Sequence, residues 1–225
     1  MEYFQDNETC WLANQCTRVD CDKPCVRRIK LEWFYHEGLI TDKQRERIRF
    51  CPDERDAESF AYLSRLLRNI VKFVSVGGNL YIHSKQCGNG KTSIALRLAQ
   101  AYLNHVWLIS PLTCKVLFIN VPRYLLEIKA NISEPSSYVE HIRKNVLNAD
   151  LVIWDDIGTK GLTQFEHENV LSLINARLDA GRANIYTSNL SKEELRDSIG
   201  DRLYSRVYGL SDDIELFGDD YRSRV

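Results

Sequence analysis

Long apolar runs are missing from this 225-residue chain, and so is any excess of charge of one sign. A membrane-spanning helix needs about 20 consecutive apolar residues. The most apolar stretch, residues 69–82, is interrupted by Lys72 and by Gly77-Gly78. The N-terminus, Met1-Glu2-Tyr3-Phe4-Gln5-Asp6, does not follow the basic-then-apolar pattern of a signal peptide. The sequence therefore predicts a cytoplasmic protein with no membrane contact.

The balance of charge excludes one class of function. The chain has 30 Lys and Arg residues against 31 Asp and Glu residues, for a formal net charge of −1. Proteins that bind nucleic acid through bulk charge are far more basic, so any such contact must come from a local patch. Basic residues cluster at 27–30 and 43–49, but acidic residues interleave with them. That pattern suits a solvated helical face as well as a DNA contact.

Four of the seven cysteines crowd one short N-terminal segment: Cys10, Cys16, Cys21 and Cys25. In a cytosolic protein such clustering indicates a metal site rather than disulfides. Four thiolates bind Zn²⁺ tetrahedrally, and the metal supplies folding energy to a segment too small for its own core. We therefore predict a structural zinc site on these residues. The alternatives are a set in which His36 or Cys51 replaces one cysteine, and reduced free cysteines in a flexible arm.

Helix-like and strand-like segments alternate beyond a boundary near residues 51–55. Short apolar runs predict buried strands at 80–82, 116–121, 151–154 and 183–187. Helical spacing of apolar residues predicts helices at 60–73, 92–102, 124–130, 137–146 and 165–178, and Ser191 with Glu194 predicts a capping box before another. The alternation predicts an α/β fold with a parallel sheet between helices. We expect two domains, a Cys-rich domain over 1–55 and an α/β domain over 56–225.

A glycine-rich loop follows the first predicted strand, with the sequence Cys87-Gly88-Asn89-Gly90-Lys91-Thr92-Ser93. A strand, this kind of loop and then a helix form the context of a P-loop. The glycines let successive backbone N–H groups point at nucleotide phosphates, beside the N-terminus of the helix. Lys91 would contact the β- and γ-phosphates, and Thr92 would bind Mg²⁺. We assign ATP or ADP binding to Gly88, Asn89, Gly90, Lys91, Thr92 and Ser93.

The loop departs from the full P-loop pattern at one position. The pattern G-x-x-x-x-G-K-[ST] begins with glycine, whereas Lys85 stands there in this chain. A residue with a side chain has poor access to positive φ, so keeping the glycine geometry would cost about 1 kcal/mol. We interpret the loop as a local variant. The alternative is a chance Gly-Lys-Thr at the start of a helix.

An apolar strand that ends in two acids, residues 151–156, has the Walker B arrangement. Such a strand places Asp155 beside the Mg²⁺ held at the P-loop, and Asp156 would polarise the attacking water. Many such ATPases have Glu at the second position, and Asp is one methylene shorter, so we expect slow hydrolysis or a shifted geometry. The alternative is a buried strand followed by an acidic turn.

Two further polar residues follow in order. Asn189 comes after the strand at 183–187 and would sense the γ-phosphate. Arg206 would act as an arginine finger in a neighbouring subunit's site, where it supplies positive charge to the transferring phosphoryl group. A surface ion pair is the alternative for Arg206.

With these elements in this order, the chain resembles AAA+ ATPases, and more narrowly the helicase loaders of the DnaC/DnaI type, including their phage and prophage relatives. The resemblance covers residues from about 57 to the end. It includes Gly218-Asp219-Asp220-Tyr221-Arg222, which matches a Gly-x-x-x-Arg tail of these proteins. Transposition helper ATPases of the IstB type share the same core pattern. The N-terminal cysteines favour the loader interpretation, because DnaI-like loaders carry a zinc-binding N-terminal domain.

The resemblance implies ATP-regulated assembly on a replicative DnaB-type helicase and weak, local contact with single-stranded DNA. It implies that the zinc domain binds the helicase, that Arg222 contacts nucleotide and that subunits associate through Arg206. It also implies that the full C-terminal helical lid of larger AAA+ proteins is missing. Related ATPases place DNA-contacting elements between the second strand and Walker B, where this chain carries Arg123, Lys129, Arg143 and Lys144.

Two other functions remain open from the residues. A non-hydrolysing helicase adaptor would use the nucleotide pocket only for structure, and the departures at Lys85 and Asp156 are compatible with it. An IstB-like transposition helper would use the same ATPase core with a different partner.

Overall fold

The computed structural model describes residues 10–12, 16, 25–45, 53–131, 134–158 and 162–218. At its centre is a five-stranded parallel sheet with the strand order β2-β3-β4-β1-β5. The strands are β1 (Asn79–His83), β2 (Val116–Asn120), β3 (Leu151–Asp155), β4 (Ala183–Ser188) and β5 (Asp212–Glu215). The parallel sheet expected from the alternation of segments is confirmed.

The helices flank this sheet, and a 3₁₀ turn at Glu54–Asp56 precedes the third of them. Among the helices of the described chain, none combines the length and apolarity that crossing a membrane requires. Their bounds are α1 (Val26–Glu37), α2 (Asp42–Arg45), α3 (Ala57–Arg68), α4 (Ile70–Ser75), α5 (Lys91–Val106), α6 (Val121–Ala130), α7 (Ser137–Asn145), α8 (Gln164–Asp179) and α9 (Lys192–Val207).

Helices cover both faces of the sheet, because alternate side chains of each strand enter two separate apolar clusters. Leu80 and Ile82 of β1 pack with α1, α3, α4 and α5, whereas Tyr81 packs with α6, α7, α8 and α9. Every residue of β3 is buried. Parallel strands covered on both faces consist of nearly continuous apolar residues, which is why short apolar runs in the sequence predicted four of the five strands.

Polar residues mark the ends of helices, and at one of them a predicted helix is interrupted. The predicted capping box of Ser191 and Glu194 is confirmed at the start of α9. The expected single helix over 60–73 is wrong, because Asn69 has φ −113° and ψ 20° and separates α3 from α4. Asn69 also donates from its side chain to the Arg65 carbonyl, and such local bonds compete with helix continuation.

Residues 26–45 pack directly on the α/β core. Leu31 of α1 is fully buried in the cluster that contains α5. Lys30 Nζ donates to the Trp107 carbonyl (3.0 Å) just beyond the end of α5, where the helix dipole favours a cation. The domain boundary near residue 55 stays a prediction, and the described part of the preceding segment contacts α5 and β2.

Gly38, directly after α1, lies against the edge strand β2. Its carbonyl accepts a hydrogen bond from the Phe118 N–H (2.8 Å), and a Cβ at Gly38 would lie 2.5 Å from the Val116 carbonyl oxygen. Two backbones therefore meet where no side chain fits. We expect Gly38→Ala to lower the free energy of unfolding by about 1–3 kcal/mol, measured by urea denaturation. An unchanged midpoint would contradict this close approach.

Candidate functional site

The predicted phosphate loop joins β1 to α5 at the carboxyl edge of the sheet. Gly88 and Gly90 have φ of 75° and 97°, a region that residues with a Cβ rarely enter. Gly90 directly precedes α5, whose first residues are Lys91, Thr92 and Ser93. The loop therefore curls onto a helix N-terminus, the arrangement that binds phosphate through backbone N–H groups.

Lys85 does not strain the loop. Among the described residues, Leu39 and Asp156 are the non-glycine residues with positive φ. Lys85 thus adopts an ordinary backbone conformation, and the expected cost of about 1 kcal/mol for a left-handed residue does not arise. The loop takes a course that needs no glycine at this position.

Lys91 lies inside the loop. Its side chain is buried, and Nζ donates to the Gln86 carbonyl (2.8 Å) and to Asn89 Oδ1 (3.2 Å). Asn89 Nδ2 in turn donates to Ser84 Oγ. These acceptors hold the ammonium group at the centre of the loop, where the phosphate oxygens of a nucleotide would be its stronger partners.

Thr92 and Asp155 meet although they lie on different elements. Thr92 Oγ1 donates to Asp155 Oδ1 (2.7 Å), and Thr187 Oγ1 on β4 donates to the same oxygen (2.8 Å). Burial raises the pKa of Asp155; the two hydroxyl donors oppose that shift, and the neighbouring Asp156 carboxylate adds to it. Hydroxyl and carboxylate oxygens are the ligands that Mg²⁺ prefers, so Thr92 and Asp155 fit this metal.

Asp156 and Asn189 lie at the exposed side of the site that contains Thr92 and Asp155. Asn189 Nδ2 donates to Asp156 Oδ1 (2.7 Å), and the Asp156 N–H donates to Thr187 Oγ1 (3.0 Å). Asp156 has φ 62°, a left-handed conformation that Asp tolerates better than most residues. This backbone turn points the carboxylate outward, next to the buried Asp155, at the carboxyl edges of β3 and β4.

Two residues whose side chains interact with Asp155 were not predicted, Asn120 and Thr187. Asn120 ends β2 in register with Asp155, and its side chain interacts with the Asp155 carboxylate. Each is a polar residue at the carboxyl end of a strand next to β3. A polar residue at a strand end is the sequence signal for both, but only the folded sheet shows which strands lie beside β3.

Arg206 lies on α9 away from the contacts described above. Arg206 and Arg202, one helical turn earlier, are both exposed. Neither has a hydrogen bond or ion pair within the part of the chain that the structure describes. Both are therefore available to a neighbouring molecule, and position alone does not separate them. Arg222 lies outside the described residues.

The four basic residues between β2 and β3 have different surroundings. Lys129 Nζ pairs with Glu166 Oε1 (2.9 Å). The Arg123 guanidinium lies 4.1 Å from the centre of the Tyr138 ring. Arg143 and Lys144 fall in the last turn of α7. They do not form one unpaired basic patch, because internal contacts already engage Lys129 and Arg123.

The predicted zinc ligands are only partly described. Cys10, Cys16 and Cys25 are free thiols, whereas Cys21 and Cys51 lie outside the described residues. Within the described ranges, no group of three or more His, Cys, Asp or Glu side chains is placed to hold a metal ion. The zinc site stays a prediction.

Comparison with known proteins supports the same assignment. A family model for IstB-like ATP binding proteins matches residues 54–224. The replicative helicase loader DnaC of Escherichia coli (strain K12) is 27% identical over 151 residues, which cover 66% of this chain and 59% of that protein. DnaC of Shigella flexneri matches to the same extent. The chain thus spans about three fifths of the length of these relatives.

Solved structures show the same fold. The DnaC helicase loader superimposes with a TM-score of 0.61 at 18% identity, over 82% of this chain and 98% of the other. A primosome component from Streptococcus pyogenes serotype M3 gives 0.63 at 20% identity, over 83% and 96%. AMPPCP-bound DnaA from Aquifex aeolicus gives 0.58 at 17% identity, over 74% and 48%.

These matches confirm the resemblance to AAA+ ATPases of the DnaC/DnaI type and to IstB-type ATPases. The family match covers the P-loop, the Walker B strand, Asn189 and α9 together. The chain belongs to the family of IstB-like ATP binding proteins.

Proposed function

We propose that this protein is an ATP-hydrolysing loader that binds a replicative DnaB-type helicase and places it on single-stranded DNA in the cytoplasm. The observation that carries the proposal is the contact of Thr92 with Asp155, beside Asp156 and Asn189, at the end of a P-loop. A loader is also the function named for the E. coli relative. Asp156 and Asn189 have no evident use in a pocket that serves only structure.

Hydrolysis would proceed through groups that already lie together. The loop N–H groups hold the phosphates, and Lys91 exchanges its carbonyl partners for phosphate oxygens. Thr92 and Asp155 would hold Mg²⁺, and the bound ion would supply positive charge to the phosphates. Asp156 accepts a hydrogen bond from the attacking water, and Asn189 orients the Asp156 carboxylate. The shortness of Asp156 compared with Glu makes the step slow without a partner.

Asn189→Ala tests the pairing with Asp156. We expect ATP hydrolysis to fall about 10- to 100-fold, because one hydrogen bond to a charged group contributes about 1.5–3 kcal/mol. The affinity for ATP should change little, since among the described residues Asn189 makes its side-chain hydrogen bond to Asp156 and none to the loop. Steady-state hydrolysis and binding of a fluorescent nucleotide measure the two effects. Equal losses of rate and affinity would argue for a simple binding role.

Helicase loading tests the proposed function as a whole. A DnaB-type helicase cannot thread onto a closed circle of single-stranded DNA, so its appearance there reports loading. We expect this protein and ATP together to produce helicase-bound circles, and expect Lys91→Ala to produce far fewer. Loading that is equally efficient with Lys91→Ala would instead favour the non-hydrolysing adaptor.

A transposition helper is the second candidate, because IstB-like proteins include ATPases of that class. The two functions differ in their protein partner. Capture of a purified DnaB-type helicase by this protein supports the loader, whereas capture of a transposase with no affinity for the helicase supports the helper.

Self-association would complete the ATPase site. We propose that Arg206 enters the site of a neighbouring subunit, and Arg202 satisfies the same requirement of exposure. Single and double alanine variants separate the two residues. The effective finger is the one whose loss lowers hydrolysis in the assembled protein while each subunit still binds ATP.

An N-terminal segment folded around a zinc ion would provide the contact with the helicase. The proposal rests on the spacing of Cys10, Cys16, Cys21 and Cys25. Metal analysis of the purified full chain should find about one zinc per chain. The double variant Cys16→Ser/Cys25→Ser should lose both the zinc and helicase capture, whereas Cys114→Ala, at a buried cysteine that contacts the last residue of α1, should keep both.

Single-stranded DNA would bind weakly and locally. Arg123, Arg143 and Lys144 are the candidates, and Lys129 contributes less because it pairs with Glu166. Few phosphate contacts imply a shallow dependence of DNA affinity on salt. Alanine at Arg143 and Lys144 should weaken DNA binding while leaving ATP binding unchanged.

A further inference from the structure

A ladder of aromatic side chains connects the start of the phosphate loop to α9. Tyr204 and Tyr208 stack with ring centres 5.2 Å apart, and Tyr208 meets Tyr81 edge to face at 5.6 Å. Tyr81 stacks on His83 at 5.2 Å. We call these four residues the aromatic ladder. His83 is the last residue of β1, so one end of the ladder adjoins the loop and the other lies on the helix that carries Arg206.

Asp213 of β5 joins His83, at one end of the ladder, to Tyr208, directly after α9. Tyr208 Oη donates to Asp213 Oδ2 (2.9 Å), and His83 Nε2 lies 3.0 Å from Asp213 Oδ1. Burial alone would raise the pKa of Asp213, but its contacts with His83 and Tyr208 outweigh that effect and lower it. The carboxylate therefore stays charged and engages one side chain with each oxygen.

The interruption of α9 at Gly200 makes the contacts of Asp213 important for the orientation of the helix. It has φ 74° and ψ 159° inside α9, so the helix is interrupted there. The direction of residues 201–207 is consequently not inherited from the first half of the helix. It is set by contacts that include buried Leu203 and Val207, the ion pair of Asp201 with Arg196 of the first half and the bond of Tyr208.

We propose that Tyr208 and Asp213 are positioning residues for the second half of α9. They hold it in the orientation from which the exposed Arg206 or Arg202 reaches the phosphates bound by the neighbouring subunit. Tyr208 follows Arg206 by two residues, so loss of its bond frees the end of the helix where Arg206 projects. This inference rests on the proposed trans action of Arg206 or Arg202.

Tyr208→Phe tests the positioning role, because it removes only the hydroxyl and keeps the stacked ring. We expect hydrolysis by the assembled protein to fall about tenfold, with ATP affinity unchanged. Tyr204→Phe is the matched control, since within the described residues the Tyr204 hydroxyl makes no hydrogen bond. It should keep normal hydrolysis. A loss of ATP affinity in Tyr208→Phe would overturn the proposal.

Mixed assemblies separate positioning from general damage. A Tyr208→Phe subunit has an intact pocket and a displaced arginine, whereas a Lys91→Ala subunit has a defective pocket and a normal arginine. We expect an equal mixture to hydrolyse ATP several-fold faster per intact pocket than Tyr208→Phe alone. No rise in rate on mixing would overturn the positioning role.

The same mixture made with Arg202→Ala/Arg206→Ala distinguishes this inference from the proposed function. If the double variant is rescued by Lys91→Ala but Tyr208→Phe is not, the arginine acts in trans and the positioning role is wrong. If the double variant is not rescued either, trans action is wrong and the inference falls with it. Rescue of both supports both.

Discussion

Replacement of Lys91 by alanine is expected to lower ATP affinity and hydrolysis together by about 100- to 1000-fold. Lys91 is buried in the loop and donates to Gln86 and Asn89, so its ammonium group is positioned before any nucleotide arrives. Loss of a charge-assisted contact with phosphate costs about 3–4 kcal/mol, which corresponds to this change. Nucleotide titration and steady-state hydrolysis measure it.

Lys85→Ala is the matched control, because it removes the same group from the same loop. Lys85 is exposed and has ordinary backbone geometry. We expect its affinity for ATP to stay within about threefold of the wild-type value, as is usual for a solvated surface charge. Equal losses in both variants would mean that the loop attracts nucleotide by total charge rather than through one placed lysine.

Arg177→Ala is expected to lower the free energy of unfolding by about 4 kcal/mol. Arg177 of α8 is fully buried and donates to the carbonyls of Val146, Ala149 (2.9 Å) and Ala183 and to Asn184 Oδ1 (2.7 Å). Truncation removes this donor from three buried carbonyls and opens a cavity, while Asn184 Oδ1 still accepts from Trp154 Nε1 (3.1 Å). Since domains are stable by only about 5–15 kcal/mol, urea denaturation should show a large fall in midpoint.

Arg182→Ala provides the comparison for Arg177. Arg182 also carries a guanidinium group, but its side chain is 39% exposed and pairs with Asp150 at 3.1 Å. A partly solvated pair contributes about 0–1 kcal/mol, so this variant should unfold near the wild-type midpoint. Similar losses in the two variants would contradict the stabilisation attributed to the buried hydrogen bonds of Arg177.

The sequence predicted the sheet well where burial leaves an apolar run, and poorly where it does not. Strands β1 to β4 consist of such runs. Strand β5 reads Asp212-Asp213-Ile214-Glu215, with one apolar residue, and within the described residues pairs with β1 alone. Unlike β2 at the other edge of the sheet, β5 buries only the side chain of Ile214, so no apolar run marks it. Arg177 was equally hidden, because an arginine near a helix end is ordinarily solvated.

The candidate site was predictable to the extent that its motifs are local. Lys91, Thr92 and Asp155 follow from spacing within one loop and one strand. Asn120 and Thr187 depend on which strands lie beside β3, and that order requires the folded sheet. The backbone conformation of Lys85 required the structure for a related reason, since a residue's φ depends on the path of the whole loop.

The most direct test of the central claim is the effect of Mg²⁺ on nucleotide affinity. Thr92 and Asp155 would hold Mg²⁺ beside ATP, so Mg²⁺ should tighten ATP binding by the wild-type protein about tenfold or more. Asp155→Asn should bind ATP normally in EDTA and lose that gain. Burial raises the pKa of Asp155, so the charged carboxylate lowers the free energy of unfolding at neutral pH. This destabilisation decreases as the pH falls through the pKa of Asp155. The uncharged variant Asp155→Asn should therefore fold normally. A full Mg²⁺ effect in Asp155→Asn would contradict the account.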